Sequence, residues 1–137
     1  MIDLKGRVAL VTGGGRDVGA GISKTLAAAG AGVAVNYHGS KADAETVVAE
    51  IEKAGGRGRA YQADVSDAAV VNQLVANIKA DFGGLDILVN NAGLVFRKRF
   101  SESTPEDWRK QIDTCLYGAL NCCHAAGPLL EASGRGR

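Results

Sequence analysis

Thr12-Gly13-Gly14-Gly15-Arg16-Asp17-Val18-Gly19 separates an apolar run, Arg7-Val8-Ala9-Leu10-Val11-Thr12, from a stretch with helical spacing. Backbone without Cβ atoms, set where a buried strand turns into a helix, lets a phosphate approach free N–H groups at the positive end of that helix. The chemistry on offer is anion binding. A second small-and-polar block, Asn90-Asn91-Ala92-Gly93, follows another apolar run, Leu85-Asp86-Ile87-Leu88-Val89. Metal chemistry is not expected: Cys115, Cys122 and Cys123 come with no zinc-ligand spacing, and His38 and His124 each stand alone. The cysteines are read as helix-packing residues and the histidines as surface or packing residues.

The elements that must position these blocks follow from hydrophobic period. Val18, Ile22, Leu26 and Ala29 recur as on a helix stopped by Gly30, and Gly32-Val33-Ala34-Val35-Asn36-Tyr37 reads as a second strand. Ser40 and Asp43 suggest a capping box opening a helix with Ala44, Val47, Val48 and Ile51 on one face, closed at Gly55-Gly56. A third strand lies around Arg59-Ala60-Tyr61-Gln62, and its helix carries Val70, Val71, Leu74, Val75 and Ile78 before Gly83-Gly84. Residues 85–89 form a fourth strand. Thr104-Pro105-Glu106-Asp107 then starts a long helix running from Pro105 to about Leu130, kinked near Gly118 and Gly127. Strands alternating with amphipathic helices give an α/β fold, a doubly wound parallel sheet built from right-handed crossovers.

Composition agrees. Among 137 residues, 46% are hydrophobic but only 5% aromatic, so the core is aliphatic, and glycine, at 19, is about twice its usual share. Lys and Arg number 16 against 15 Asp and Glu, for a net charge of +1. That balance gives no field for a nucleic-acid backbone or a polybasic membrane anchor, so a small-molecule partner is expected. No secretory signal or bilayer-length apolar run is visible, and the cysteine usage fits a reduced, cytoplasmic compartment.

The turn does not follow G-x-G-x-x-G, so by itself it also suits other Rossmann-like proteins, methyltransferases among them, or a tight turn without a ligand. Taken together, however, the blocks resemble the short-chain dehydrogenase/reductases, whose turn reads T-G-x-x-x-G-x-G and whose fourth strand ends in N-N-A-G. Thr12-Gly13 and Gly19 match the first and Asn90-Asn91-Ala92-Gly93 the second, while Asp64-Val65 matches the pair that receives adenine in this family and Trp108 a frequent family residue. The 3-oxoacyl-carrier-protein reductases look most similar. The resemblance implies a Rossmann-like sheet ordered 3-2-1-4 in a single NAD(P)-binding domain over 1–137. Its cofactor-binding residues would be Thr12, Gly13, Gly15, Arg16, Asp17, Val18, Gly19, Asn36, Asp64, Val65, Asn91, Ala92 and Gly93.

Two positions depart from the family pattern. Asp17 stands at the second glycine of the turn and is expected to cap the helix with its carboxylate turned aside. Cys115 takes the place of an asparagine that resembles a proton-relay element. At the end of the second strand, where an acid would bind the ribose 2′-OH of NAD, stands Asn36; with Arg16 in the turn this favours NADP, NAD remaining open. Arg16 alone also reads as a solvated charge.

The family's activity is hydride transfer between a nicotinamide and a carbonyl or alcohol carbon, using a serine and a Tyr-x-x-x-Lys pair beyond a fifth strand. The chain is expected to stop before that strand, leaving the fourth with an unpaired edge and Gly134-Arg135-Gly136-Arg137 as its lead-in. None of Tyr37, Tyr61 and Tyr117 is assigned the catalytic role, so the catalytic set is empty. Leu116, Ala119, Leu120, Cys123 and Leu130 resemble the family's oligomer interface. The alternative to a cofactor-binding part of an oxidoreductase is a non-enzymatic nucleotide-binding or scaffold protein acting through a partner.

Overall fold

Val8 to Val11 are almost wholly inaccessible to solvent, as a strand must be when helices cover both faces of its sheet. In the computed structural model of the chain, which describes residues 2–137, this strand β1 (Val8–Val11) lies at the centre. β2 (Gly32–Tyr37) and β3 (Arg57–Gln62) stack on one side and β4 (Ile87–Val89) on the other, all parallel, in the order β3-β2-β1-β4. Leu10 sits opposite Ala34 on β2 and Leu88 on β4. The fold is α/β and Rossmann-like.

Two helices cover each face. α1 (Asp17–Ala28) and α2 (Lys41–Lys53) pack on Val11, Val33 and Val35, while α3 (Ala68–Phe82) and α5 (Gly118–Ala132) pack on Leu10 and Ala34. The α2 and α3 faces match their periodicity, with Ala44, Val47 and Ile51, and Val71, Leu74, Val75 and Ile78, buried. On α1, Ile22 and Leu26 pack half-buried on the core as expected, Val18 is exposed, and the residues nearest the sheet are Gly19, Ser23 and Ala27, whose small size lets the helix lie close.

Helix ends differ in detail. The expected Ser40 box does not form, since Ser40 makes no side-chain cap bond; α3 is instead capped by Asp67, which accepts from the N–H groups of Ala69 and Val70. The Thr104–Asp107 capping box is present at α4 (Pro105–Ile112). The long helix predicted from Pro105 is continuous but changes pitch through a π-helical turn, Asp113–Tyr117, before α5. No helix among the described residues is long and apolar enough to cross a membrane.

The free edge of β4 is not bare. Arg137 donates its N–H to the Asp86 carbonyl and accepts from the Leu88 N–H, both at 2.9 Å, the pattern of a parallel bridge. Asp86 anchors this return. Its carboxylate accepts from the Val8 N–H at 2.8 Å, the Ser133 hydroxyl at 2.6 Å and Arg135 Nε at 3.1 Å. Burial alone raises its pKa, but those bonds outweigh burial and hold the carboxyl below its usual range.

A depressed native pKa contributes stability above the unfolded value, about 3.9, that is lost as pH falls through the native one. Asp86→Asn is therefore expected to cost about 2 kcal/mol near neutral pH, with the difference from wild type shrinking below about pH 4. Urea midpoints of both proteins across that range test this; a difference that stays constant to low pH means the carboxylate's charge is not what holds the segment.

Candidate functional site

At the carboxyl end of the sheet, where the neighbouring strands β1 and β4 carry their connections to opposite faces, an open cleft of about 810 Å³ lies across the glycine turn. This is where ligands bind in doubly wound sheets. The turn supplies Gly13, Gly15, Arg16, Asp17, Val18 and Gly19 to its wall, β2 and its following loop supply Asn36 and His38, β3's end supplies Asp64 and Val65, and β4's end supplies Asn91, Ala92 and Gly93. Of the residues singled out in the sequence as cofactor-binding only Thr12 does not line the cleft; like Asn36 it is 1% exposed.

Thr12 joins the two blocks. Its Oγ1 donates to the Val89 carbonyl at 3.3 Å and accepts from the N–H groups of Asn91 and Ala92, each at 3.0 Å. Asn91 Nδ2 returns two bonds, to the carbonyls of Thr12 at 2.9 Å and Gly13 at 3.1 Å. Gly13 has φ +60°, and a Cβ on Gly19 would run into the Gly13 carbonyl and the Asn91 amide, so glycine is required at both. A Cβ on Gly15 would come within 2.9 Å of Ala44 on α2. The turn is therefore fixed from three sides.

Asn36 is the third support, and its expected role is corrected. Its side chain, in a residue only 1% exposed, accepts from the Gly13 N–H at 3.1 Å and donates to the carbonyls of Tyr37, Tyr61 and Ala63 at 3.3, 3.4 and 3.1 Å. With both amide hydrogens committed to backbone, it holds the turn and has no donor to offer a ribose. The residues beside the cleft after β2 are His38 and Ser40, which the sequence suggested as a surface or packing residue and a helix cap and not as part of a site.

Asp17 is also corrected. The cap position belongs to Arg16, no side chain caps α1, and Asp17 is its first residue with φ +47°, the one non-glycine among the described residues at positive φ. Asp17 lines the cleft, at the end of the helix whose first N–H groups have no intrahelical acceptor.

Asp64 Oδ1 accepts from the Ser66 N–H at 2.9 Å and hydroxyl at 2.7 Å, and its other oxygen lies 3.5 Å from His38 Nδ1. Burial raises its pKa, but Ser66 and then His38 outweigh that and keep the carboxyl below its usual range, so it faces the cleft as an anion and acceptor. Beyond the second block, Lys110, Asp113 and Thr114 of the long helix also reach the cleft. Nothing in their spacing singled them out, since the π turn that aims residues 113 and 114 inward leaves no mark in the hydrophobic period.

The cysteines divide. Cys122 is fully buried against Val65 and Val71, and burial first, then Cys123, pushes its thiol up to about 11, too high for reactivity. Cys115 sits behind the loop after β4, its sulfur 3.4 Å from the Leu94 N–H and 3.6 Å from the Leu94 carbonyl. Cys123 accepts from Asn90 Nδ2 at 3.3 Å. No cluster among the described residues has the ligands for a metal.

One tyrosine does have a lysine four residues on, Tyr37-His38-Gly39-Ser40-Lys41, which qualifies the reading of the sequence. The two share no helical face. Tyr37 ends β2, 9% exposed among core residues, and Lys41 opens α2 with its ammonium 3.5 Å from Glu45. Phe100, Trp108, Ile112, Leu116, Tyr117 and Leu120 leave an apolar stripe exposed along the long helix and the turn before it.

The family model for short chain dehydrogenases matches residues 7–137. The chain is 44% identical over 134 residues to an uncharacterized oxidoreductase of Methylorubrum extorquens, covering 98% of this chain and 54% of that protein. It is 44% identical over 120 residues to the 3-oxoacyl-[acyl-carrier-protein] reductase of Staphylococcus aureus, covering 88% and 49%. Among solved structures, a short chain dehydrogenase from Burkholderia cenocepacia in complex with NADP superposes with TM-score 0.88 at 42% identity, covering 93% of this chain and 52% of that one. A dehydrogenase/reductase from Sinorhizobium meliloti gives 0.91 at 40%, covering 94% and 51%. The chain spans about half the length of the curated relatives it matches.

Proposed function

Because the chain belongs to the short-chain dehydrogenase family, we propose that its cleft binds a nicotinamide dinucleotide, NADP(H) in preference to NAD(H), within a single dinucleotide-binding domain over residues 1–137. The observation that carries this reading is the glycine turn held open by Thr12, Asn36 and Asn91 beneath an uncapped helix N-terminus, in a cleft of dinucleotide size. The donors suit a pyrophosphate, with Asp17 the one group against it. Gly13, Gly15, Val18 and Gly19 would line the pyrophosphate, Asp64 and Val65 the adenine, and Asn91, Ala92 and Gly93 the path toward the nicotinamide.

The preference for NADP rests on charge. No carboxylate stands in residues 36–40, which read Asn-Tyr-His-Gly-Ser, and Arg16 and His38 flank that end of the cleft. An acid there would accept from a 2′-OH and repel a 2′-phosphate; none does so.

When bound, the dinucleotide supplies hydride to a carbonyl or takes it from an alcohol, and the chain's own residues bind and orient it. In this reading the chain by itself binds the dinucleotide without turnover, in a reducing, cytoplasmic setting. The exposed stripe from Trp108 to Leu120 favours a second reading, a nucleotide-binding scaffold working through a partner or a second copy.

Calorimetric titration of the purified chain with NADPH, NADH and S-adenosylmethionine tests the primary reading. Saturable binding with NADPH tighter than NADH is expected, and no heat with S-adenosylmethionine. A folded chain that binds neither dinucleotide overturns the assignment, and one that binds only S-adenosylmethionine returns the turn to the methyltransferase class.

A further inference from the structure

The charges around the adenosine end of the cleft come in matched pairs. Arg16 Nε lies 3.9 Å from the Asp43 carboxylate, His38 Nδ1 lies 3.5 Å from Asp64, and Lys41 Nζ lies 3.5 Å from Glu45. Asp64 is oriented by Ser66, and Lys41 is turned along its own helix. Asp43 differs from both. It sits in the first turn of α2, takes part in no side-chain cap, and faces the one arginine on the cleft wall. The two cannot drift apart by helix movement, because Gly15 packs on Ala44 so closely that a Cβ would not fit between them.

On the reading that the cleft takes a nicotinamide dinucleotide, we infer that Asp43 is a specificity-determining residue, whose carboxylate holds Arg16 and narrows the margin by which the chain prefers NADPH over NADH. A 2′-phosphate is a dianion or close to one near neutral pH, and it competes with the Asp43 carboxylate for the same guanidinium donors. When Arg16 engages the phosphate, Asp43 is left a few ångströms from a like charge. NADH carries only a hydroxyl there and is indifferent to both effects.

The size follows from exposure. Arg16 and Asp43 side chains are 64% and 54% exposed, so solvent screens the pair, and two unit charges at about 4 Å in water change an equilibrium by about fivefold. Asp43 is therefore a moderator of preference rather than its source. Its replacement by asparagine keeps the side-chain shape and removes only a small favourable interaction with the α2 dipole, so the fold persists.

The test titrates wild type, Asp43→Asn, Arg16→Gln and the double variant with NADPH, NADH and adenosine 2′,5′-bisphosphate, with thermal melts to confirm folding. Asp43→Asn is expected to tighten NADPH and the bisphosphate by about fivefold and to leave NADH within about twofold, and the gain is expected to shrink in the Arg16→Gln background. Equal tightening of both dinucleotides, no change for NADPH, or a gain that survives unreduced without Arg16 each overturns the inference. If no folded variant binds either dinucleotide, the reading of the cleft itself fails, and this inference with it, a result distinct from binding without selectivity.

Discussion

Replacing Asp17 with glycine is expected to tighten NADPH binding by about tenfold or more while changing the stability of the chain by no more than about 0.5 kcal/mol. The two numbers have different origins. On the stability side, φ +47° at Asp17 costs an L-residue about 1 kcal/mol, which glycine relieves. Glycine gives back about 0.5–1 kcal/mol in chain entropy and loses a favourable acid in the first helical turn, so the sum lies near zero. On the binding side nothing cancels. Asp17 lines the cleft at the helix end whose N–H groups a pyrophosphate would use, and a unit charge about 4 Å from an anion is worth about 1 kcal/mol in water and several times that where solvent is partly excluded. Calorimetry and a thermal melt on the same preparation separate the two. An unchanged affinity would mean that the Asp17 side chain turns away when ligand binds.

The contrast between Asp17 and Gly19 marks what the sequence could say about this turn. Residue types told where bare backbone was needed, and at Gly13 and Gly19 the need is visible in the positive φ and in the missing room for a Cβ. They also exposed Asp17 as the residue out of pattern. What they could not give was the direction of its side chain, because capping requires a particular backbone angle at the preceding residue and a bond that did not form. The same limit applied to Ser40 and Asp43, spaced for a capping box yet unbonded as one, while the similar Thr104 and Asp107 formed theirs.

The strands show a second limit. Alternation tells which side chains face water only when one face of a sheet is wet, and β2 is buried along nearly all its length. Its apolar run located the strand to the residue but gave no sign of which way Asn36 points. The α1 face was legible only in part for a related reason: Ile22 and Leu26 pack on the core, but Gly19, Ser23 and Ala27, which lie nearest the sheet, carry little hydrophobic signal and are buried because they are small. Long-range bonds such as Asn91 to Thr12, 79 residues apart, lie beyond any local pattern, although the two blocks they join were both legible.

The misread direction of Asn36 leads to the opposite prediction for its acid variant from the one its position at the strand end suggests. Read as a ribose contact, Asn36→Asp would turn the chain toward NADH. Read from its bonds, it would fail to do so. A carboxylate in that position keeps the bond from the Gly13 N–H, but its second oxygen faces the carbonyls of Tyr37, Tyr61 and Ala63, which lose the amide's bonds and meet a like partial charge. At 1% exposure water cannot replace it. The lost amide bonds and a buried charge facing carbonyl oxygens outweigh one strengthened bond, so the expected cost is about 3 kcal/mol or more, enough to threaten a chain of this size. The variant is expected to show a lower urea midpoint and, where it stays folded, weaker binding of both dinucleotides with their ratio unchanged, since the turn that Asn36 supports serves both. A stable variant that prefers NADH would put the side chain in the cleft after all, and would return the choice of cofactor to residue 36 from the charges at Arg16 and Asp43.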